Sequence, residues 1–536
     1  MSADSPQPDI DAVADPEHDA RASYAVDPAR ARLLTGSIRA SGSQHRRTYS
    51  PLTGQVVADV PVSEPADVDV AFERARAAQR SWAETDLALR SRLLLDLHDL
   101  VLDRQREILD LIQYESGKAR KHAFDEVLHV ALTARYYGRT LKRHLRSRKH
   151  PGVYPILTRA EVNRIPKGVV GLISPWNYPY TLALSDGIPA IAAGNAVVHK
   201  PDSQTPLTAL AGIELFREAG LPADLWQPVY GSGRVIGTAI VDRADYVCFT
   251  GSTATGRTVG ARAAERVIGC SLELGGKNPM LVLADADLDR AAEGAVRAAF
   301  SSSGQLCVST ERMFVSDAIY DRFVERFVAR VRAMRLSPEL RFDADMGALI
   351  SEDQLRTVDE HVQDAVAKGA TVLAGGRARP DVGPLFYEPT VLEGVTPQMR
   401  CFADETFGPV VSLYRFGSEA DAVARANDGT YGLNASIYTR DVTRARTLAR
   451  RLRCGTVNIN EGFAATFASP DTPMGGMRES GLGRRQGVEG IHRYTEPQAV
   501  ADQRLLPLAS PRFVSEERYA KLMTGALRIL KRTRRA

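Results

Sequence analysis

Cysteine is scarce in this chain. Its five cysteines, Cys248, Cys270, Cys307, Cys401 and Cys454, are scattered through 536 residues with no CxxC pair. An odd, dispersed set argues against a disulfide framework and a zinc ribbon, suits a reducing compartment, and leaves no metal site to expect. Long apolar runs are missing too: nothing approaches the roughly 18 uninterrupted residues that a spanning helix needs. Neither sign of charge dominates, with 69 basic against 65 acidic residues, a balance that does not suggest a nucleic-acid or membrane protein. The opening MSADSPQPDIDAVADPEHDA has no lysine or arginine and no apolar segment. Residues 1–45 are therefore read as a disordered acidic tail rather than a targeting peptide, and a cytoplasmic protein is expected.

What is present is ordinary globular material, 44% hydrophobic and 25% charged, in a chain long enough for more than one domain. Helical periodicity marks residues 66–84, 86–114 and 120–144. Residues 145–165 are polar, contain Pro and Gly, and read as a hairpin or arm. Strand–turn–helix units follow, including KGVVGLISPWN and ADYVCFTGSTATGRTVGARAAE, and a second series runs from about 278 to 480. Short apolar runs alternating with helices predict an α/β fold with parallel sheets and two such domains. In the C-terminal 510–536 segment, Tyr519, Leu522, Met523, Ala526, Leu527 and Leu530 share one helical face. Lys521, Arg528, Lys531, Arg532, Arg534 and Arg535 enrich the rest. This basic amphipathic helix either packs on its own protein or lies on an anionic membrane surface.

Of the cysteines, Cys307 is least like core filler. It sits in the small, polar SSSGQLCVSTER loop, where a substrate can approach closely, but a free thiol titrating near ~8.5 needs help to be nucleophilic. Glu273 lies in an apolar, strand-like run beside Gly275 and Gly276. Desolvation would raise its pKa into the range of a general base; the alternative is that it caps the turn. Asn177, between a Trp and a Pro at a strand end, could stabilise an oxyanion. In FTGSTATG, Gly251, Ser252 and Gly256 open a helix, and helix N-termini bind phosphate.

The stretches SPWNYP, KPDSQTP, FTGSTATG, LELGGKNP, GQLC, ETFGPVV and PMGGMRESGLGR, in this order over about residues 45–500, closely resemble the NAD(P)-dependent aldehyde dehydrogenase superfamily. The likeness is greatest to its NADP-linked succinate-semialdehyde branch. The 34-residue interval from Glu273 to Cys307 matches as well. The resemblance implies an aldehyde dehydrogenase-like fold of two Rossmann-like domains, with cofactor binding in 46–144 and 166–276 and catalysis in 277–480. It also implies a small β oligomerisation arm from 145–165 and 485–503, and hence a homodimer or homotetramer. Cys307 would attack the aldehyde to give a thiohemiacetal, Asn177 and the Cys307 N–H would hold the oxyanion, and Glu273 would activate water to hydrolyse a thioester. Trp176 and Ser252 would contact the pyrophosphate, Glu405 the nicotinamide ribose with Phe407 beside it, and Lys200 the adenosine ribose. NAD-preferring members commonly carry a glutamate at the position of Ser203. Without that carboxylate a 2′-phosphate is not repelled, so NADP is expected, with NAD possible.

The resemblance also makes succinate semialdehyde the expected substrate, yet Ser301 and Ser185 stand where that branch places its carboxylate-binding arginines. Tyr180, Phe300, Phe463 and Phe467 lie in segments that border the family's substrate tunnel, or else are core. If they line it, a medium-chain or aromatic aldehyde fits better, with membrane association as part of that alternative. Arg484 and Arg485 follow the terminal glycine where the family often has Arg-Glu, so one subunit contact is expected to differ.

Overall fold

The computed structural model describes residues 26–152, 158–504 and 508–531. Residues 1–25 of the expected tail lie outside that range, but the tail does not reach residue 45. Pro28–Thr35 is a helix with a proline in its first turn, and Asp27 caps it by accepting the Ala29 N–H. Ala31, Leu34 and Ile38 are buried with Leu207, Leu210 and Tyr230. Their three-to-four-residue spacing is a helical signal that the flanking polar composition conceals. His45–Tyr49 then pairs with Val56–Pro61 as an antiparallel hairpin.

Helices Pro65–Ala83, Leu87–Asp103, Gln105–Ser116 and Arg120–Leu145 follow. The single helix expected over 86–114 is two. The chain leaves helical geometry at Arg104 (φ −100°, ψ 13°), where the apolar spacing continues and gives no warning.

The first sheet runs Gly481–Leu482, Gly269–Glu273, Tyr246–Thr250, Val169–Ile173, Ala196–Lys200, Trp226–Pro228. Only Gly481–Leu482 is antiparallel to its neighbour. The chain starts in the middle at Val169–Ile173, moves one way through Ala196–Lys200, then returns to Tyr246–Thr250 on the other side. A crevice therefore opens beyond the carboxyl ends of these strands at the reversal, where doubly wound sheets bind ligands. Val169–Ile173 and Ala196–Lys200 are buried throughout, which is why they read as continuous apolar runs.

The second sheet runs Thr371–Ala374, Thr390–Glu393, Val410–Phe416, Thr310–Ser316, Asn278–Val282, Asn434–Tyr438, Thr456–Ile459, parallel except for the first strand. Its two faces carry separate apolar cores.

A third sheet of three strands places Thr158–Pro166 between Arg148–Pro151 and Thr495–Gln503. Residues 153–157 of the arm lie outside the described range. The arm's second piece begins at Thr495, not 485. Arg485, Gln486, Ile491 and Tyr494 are buried, because the Gly487–His492 helix packs back on the first unit. The Glu516–Leu530 helix has no buried residue. Leu522, Leu527 and Ile529 are each more than half exposed.

Candidate active site

The crevice of the first sheet meets the second unit in a cavity of about 280 Å³. Trp176, Asn177, Gly251, Ser252, Glu273, Cys307, Glu405 and Phe407 all line it. Five of these, Trp176, Asn177, Gly251, Ser252 and Glu273, come from loops after parallel strands of the first sheet or from a strand's last residue, and the other three arrive from the second unit.

The Cys307 loop is built under constraint. It follows the Leu288–Phe300 helix, and Ser302 and Ser303 adopt left-handed φ of 51° and 58°, a conformation that non-glycine residues hold only where their surroundings enforce it. The enforcing contacts are visible. Ser302 N donates to His122 Nδ1 and its hydroxyl to Tyr178, Ser303 Oγ donates to the Gly347 carbonyl, and Gln305 Oε1 accepts the Ile350 N–H. Asn278 Nδ2 donates to the carbonyls of both Cys307 and Ser309 at 2.8 Å. Burial pushes the Cys307 thiol up to about 12; the Arg485 guanidinium works against this, and Glu273 and Glu405 add to it.

Asn177 is buried, and its amide donates to the Gln305 carbonyl at 3.0 Å. This fixes the side chain against the Cys307 loop and leaves its second N–H for an oxyanion. Lys118 donates to the Asn177 carbonyl at 2.7 Å and to Glu126 at 2.5 Å. Glu126 accepts the N–H groups of Tyr180 and Thr181 in the first turn of the Pro179–Ala192 helix, so a buried ion pair anchors the segment that carries Asn177.

Glu273 ends its strand, 6% exposed, and its Oε1 has no hydrogen-bond partner among the described residues. Burial raises its pKa to about 7, with Arg485 the largest opposing charge. A turn-capping carboxylate would accept hydrogen bonds; this one is held dry at the pKa of a base that works near neutrality.

The cofactor half is equally specific. Ser252 is the N-cap of the Thr253–Glu265 helix and accepts the Thr255 N–H. Gly256 does not line the cavity; a Cβ there would stand 2.3 Å from Leu274 Cδ2, so this glycine lets helix and sheet approach. Glu405 accepts the Gly276 N–H at 2.7 Å and is raised to about 8 by burial and by the nearby Glu311. Phe407, at φ 51°, meets Trp176 edge to face at 5.5 Å. Glu311, ion-paired to Lys277, accepts the Thr406 and Phe407 N–H groups and holds that strained turn. Lys200 and Ser203 lie outside this cavity. Ser203 lines another, of about 430 Å³, with Arg46, Arg47 and Gln204, and Arg46 acts electrostatically on Lys200. The donor set suits a dinucleotide: a helix N-terminus for pyrophosphate, a carboxylate for ribose hydroxyls, an aromatic pair beside Cys307, and cations near Ser203.

The expected tunnel residues divide. Phe463 and Phe467 cluster with Tyr178, Leu182, Leu306 and Cys307. Phe300, Ser301 and Phe463 line a cavity of about 280 Å³ together with Lys121, His122 and Asp125, although Phe300 also stacks on Phe327 in the core. Tyr180 is fully buried in the core of the first unit and lines no described cavity. It lies two residues from Tyr178 and Leu182, roughly the opposite helix face. Ser185 shares their face and has a buried hydroxyl with no partner among the described residues.

A model of the aldehyde dehydrogenase family matches residues 38–500. The chain belongs to the aldehyde dehydrogenase family. This aldehyde dehydrogenase is 51% identical over 508 residues to a Mycolicibacterium smegmatis protein named "Putative succinate-semialdehyde dehydrogenase (NADP+)", covering 95% of this chain and 98% of the other. Among solved structures, an NAD-dependent aldehyde dehydrogenase from Sinorhizobium meliloti superposes with a TM-score of 0.85 at 35% identity, covering 89% of this chain and 94% of that one. An E. coli NADP-dependent enzyme gives 0.83 at 34%, covering 87% and 96%. As an aldehyde dehydrogenase, the chain oxidises an aldehyde to a carboxylate with a nicotinamide dinucleotide. No helix among the described residues is long and apolar enough to cross a membrane. Sequence reasoning missed the supports of this site: Lys118 with Glu126, Asn278, Lys277 with Glu311, and Arg46. It also misplaced Arg485. Expected to alter a subunit contact, that residue is buried beside Glu273, because its neighbours fold back on the first sheet.

Proposed function

We propose that the protein catalyses NADP+-dependent oxidation of succinate semialdehyde to succinate through a thioester on Cys307. The observation that carries this reading is the convergence of Asn177, Glu273, Cys307 and Glu405 on one cavity. The Cys307 sulfur adds to the aldehyde carbon, and the thiohemiacetal oxygen is stabilised by the free Asn177 amide N–H and the Cys307 backbone N–H. Ser252, Glu405, Trp176 and Phe407 would hold a nicotinamide dinucleotide, which would supply the acceptor for the hydride that leaves this carbon. A thioester remains on Cys307. Glu273 takes a proton from water as its oxygen attacks the thioester carbon; the C–S bond breaks, the carboxylate leaves and the thiolate is regenerated. Ser203 with Arg46, Arg47 and Lys200 supports NADP+ over NAD+. The substrate rests on the name of the mycobacterial relative.

A second reading is favoured by the pocket itself. Serines at 185 and 301 offer no charge to a distal carboxylate, and Phe463, Phe467, Tyr178 and Leu182 form an apolar wall beside Cys307, which suits a medium-chain or aromatic aldehyde. Initial rates with succinate semialdehyde, hexanal and benzaldehyde, each with both dinucleotides, decide between them. The first reading expects the highest kcat/KM with succinate semialdehyde and NADP+, and a preference for hexanal or benzaldehyde overturns it. The three-stranded arm, with its long exposed strand Thr495–Gln503, is the element through which the chain pairs as a dimer or tetramer. The Glu516–Leu530 helix is the element that contacts anionic membrane.

A further inference from the structure

Behind Glu273 lies buried charge that the scheme above does not use. Asp186, 1% exposed on the Pro179–Ala192 helix, accepts from Arg485 Nη2 at 2.8 Å and from Arg493 Nη2 at 2.5 Å. Both guanidinium groups are themselves buried. Arg485 Nη2 also donates to Thr250 Oγ1 at 3.1 Å, and Thr250 is the register neighbour of Glu273 on the adjacent strand. From the other side, backbone hydrogen bonds between Met474 and Arg485, at 2.7 and 2.8 Å, bring Gly475 and Arg484 over the same spot. A Cβ on Gly475 would stand 2.9 Å from Glu273 Oε1 and 3.2 Å from Arg484 Cδ. Within this nest the Glu273 Oε1 and Arg485 Nε atoms are both buried and have no hydrogen-bond partner among the described residues.

Charge balance gives the arrangement a direction. With Glu273 ionised, two carboxylates face two guanidinium groups and the buried cluster is neutral; with Glu273 protonated it carries one uncompensated positive charge. The excess buried positive charge therefore offsets part of what burial costs an ionised Glu273. The other buried groups facing the cluster do not change this count. Cys248, Tyr246 and Tyr494 are pushed up by burial, and His129 is held neutral by burial. Arg484, at the rim, adds to the positive side. Glu405 faces Cys307 from the cofactor side and opposes thiolate formation.

We propose that Arg485, clamped by Asp186, is a positioning residue whose fixed buried charge keeps Glu273 ionisable near neutrality and biases the Cys307 sulfur toward thiolate. Asp186 is then the counterweight that sets how strongly Arg485 acts. The inference rests on Cys307 and Glu273 being nucleophile and base.

The test exploits sign. Arg485→Gln leaves Asp186 its second partner, Arg493, and removes the cation that acts most strongly on both Glu273 and Cys307. Asp186→Asn removes the counterweight and frees that charge. Iodoacetamide alkylation of Cys307, followed by peptide mass spectrometry against pH without cofactor, reads the sulfur; the acid limb of kcat against pH reads Glu273. Arg485→Gln is expected to slow alkylation at neutral pH about ten-fold, equivalent to about one pH unit, and to move the acid limb upward. Asp186→Asn is expected to move both in the opposite direction, and Arg485→Lys to return most of the wild-type profile. A role in folding alone would reduce activity in both variants without opposite displacements. Unmoved profiles in Arg485→Gln overturn the inference. If that variant does not fold, Asp186→Asn decides alone, and the absence of a downward displacement overturns it. A Cys307→Ala enzyme that still turns over would instead refute the underlying reading of the site.

Discussion

Replacing Glu273 by glutamine tests geometry and energetics together. Burial raises this carboxyl from its ordinary 4.5 to about 7. At 1.36 kcal/mol per unit, the wild-type fold bears a penalty of about 3 kcal/mol once the group is ionised. The folded state holds the proton more tightly than the unfolded chain does. Stability therefore falls as pH rises from 4.5 toward 7, and the loss is complete above that window. Glutamine does not titrate, so Glu273→Gln is expected to gain thermal stability over wild type at pH 8 and little or none at pH 4. In the same variant, loss of the general base is expected to lower steady-state turnover by about 10²–10⁴-fold. Sulfur addition and hydride loss do not use this carboxylate, so a rapid burst of one reduced nicotinamide per site should persist. Stopped-flow absorbance and thermal melts at the two pH values measure these effects. Unchanged turnover, or a stability difference that does not depend on pH, would refute the assignment of a dry, ionisable base at this position.

Asn177→Ala removes one oxyanion donor and is expected to lower kcat by about 10²–10³-fold with little change in KM, as initial-rate kinetics would register. Arg46→Ala should weaken NADP+ binding at least several-fold while leaving NAD+ nearly unaffected, measured by fluorescence titration of each dinucleotide; equal losses would remove Arg46 from the 2′-phosphate site. Truncation after residue 507 should abolish flotation with anionic vesicles and spare turnover, whereas unchanged flotation would discard the C-terminal helix as a membrane contact.

The parallel-sheet architecture was legible because buried strands such as Val169–Ile173 are apolar at every position and alternate with amphipathic helices. The residues proposed as nucleophile, base and oxyanion donor are legible as chemically odd: a cysteine among small polar neighbours, a glutamate in an apolar strand, an asparagine at a strand end. Their supports are not. Lys118 and Glu126 act as one buried pair only after helix Arg120–Leu145 meets helix Pro179–Ala192, and neither residue is unusual alone. Arg485 looked like a surface arginine because nothing local reveals that Asp186, 299 positions away, will neutralise it. For Tyr180, open to both a tunnel and a core reading, the helix places it in the core while its sequence neighbours Tyr178 and Leu182 cluster with Cys307. The Pro28–Thr35 helix is hidden for a simpler reason: only Ala31 and Leu34 among its apolar residues are buried, and polar neighbours surround them.

The most direct test of the account is to incubate Glu273→Gln with aldehyde and NADP+, quench, and map the acylated peptide by mass spectrometry. The account predicts a single acyl group on Cys307, in near-stoichiometric yield and dependent on the dinucleotide. An unmodified Cys307 beside continued formation of reduced nicotinamide, or an acyl group on Cys248, Cys270, Cys401 or Cys454 instead, would contradict it.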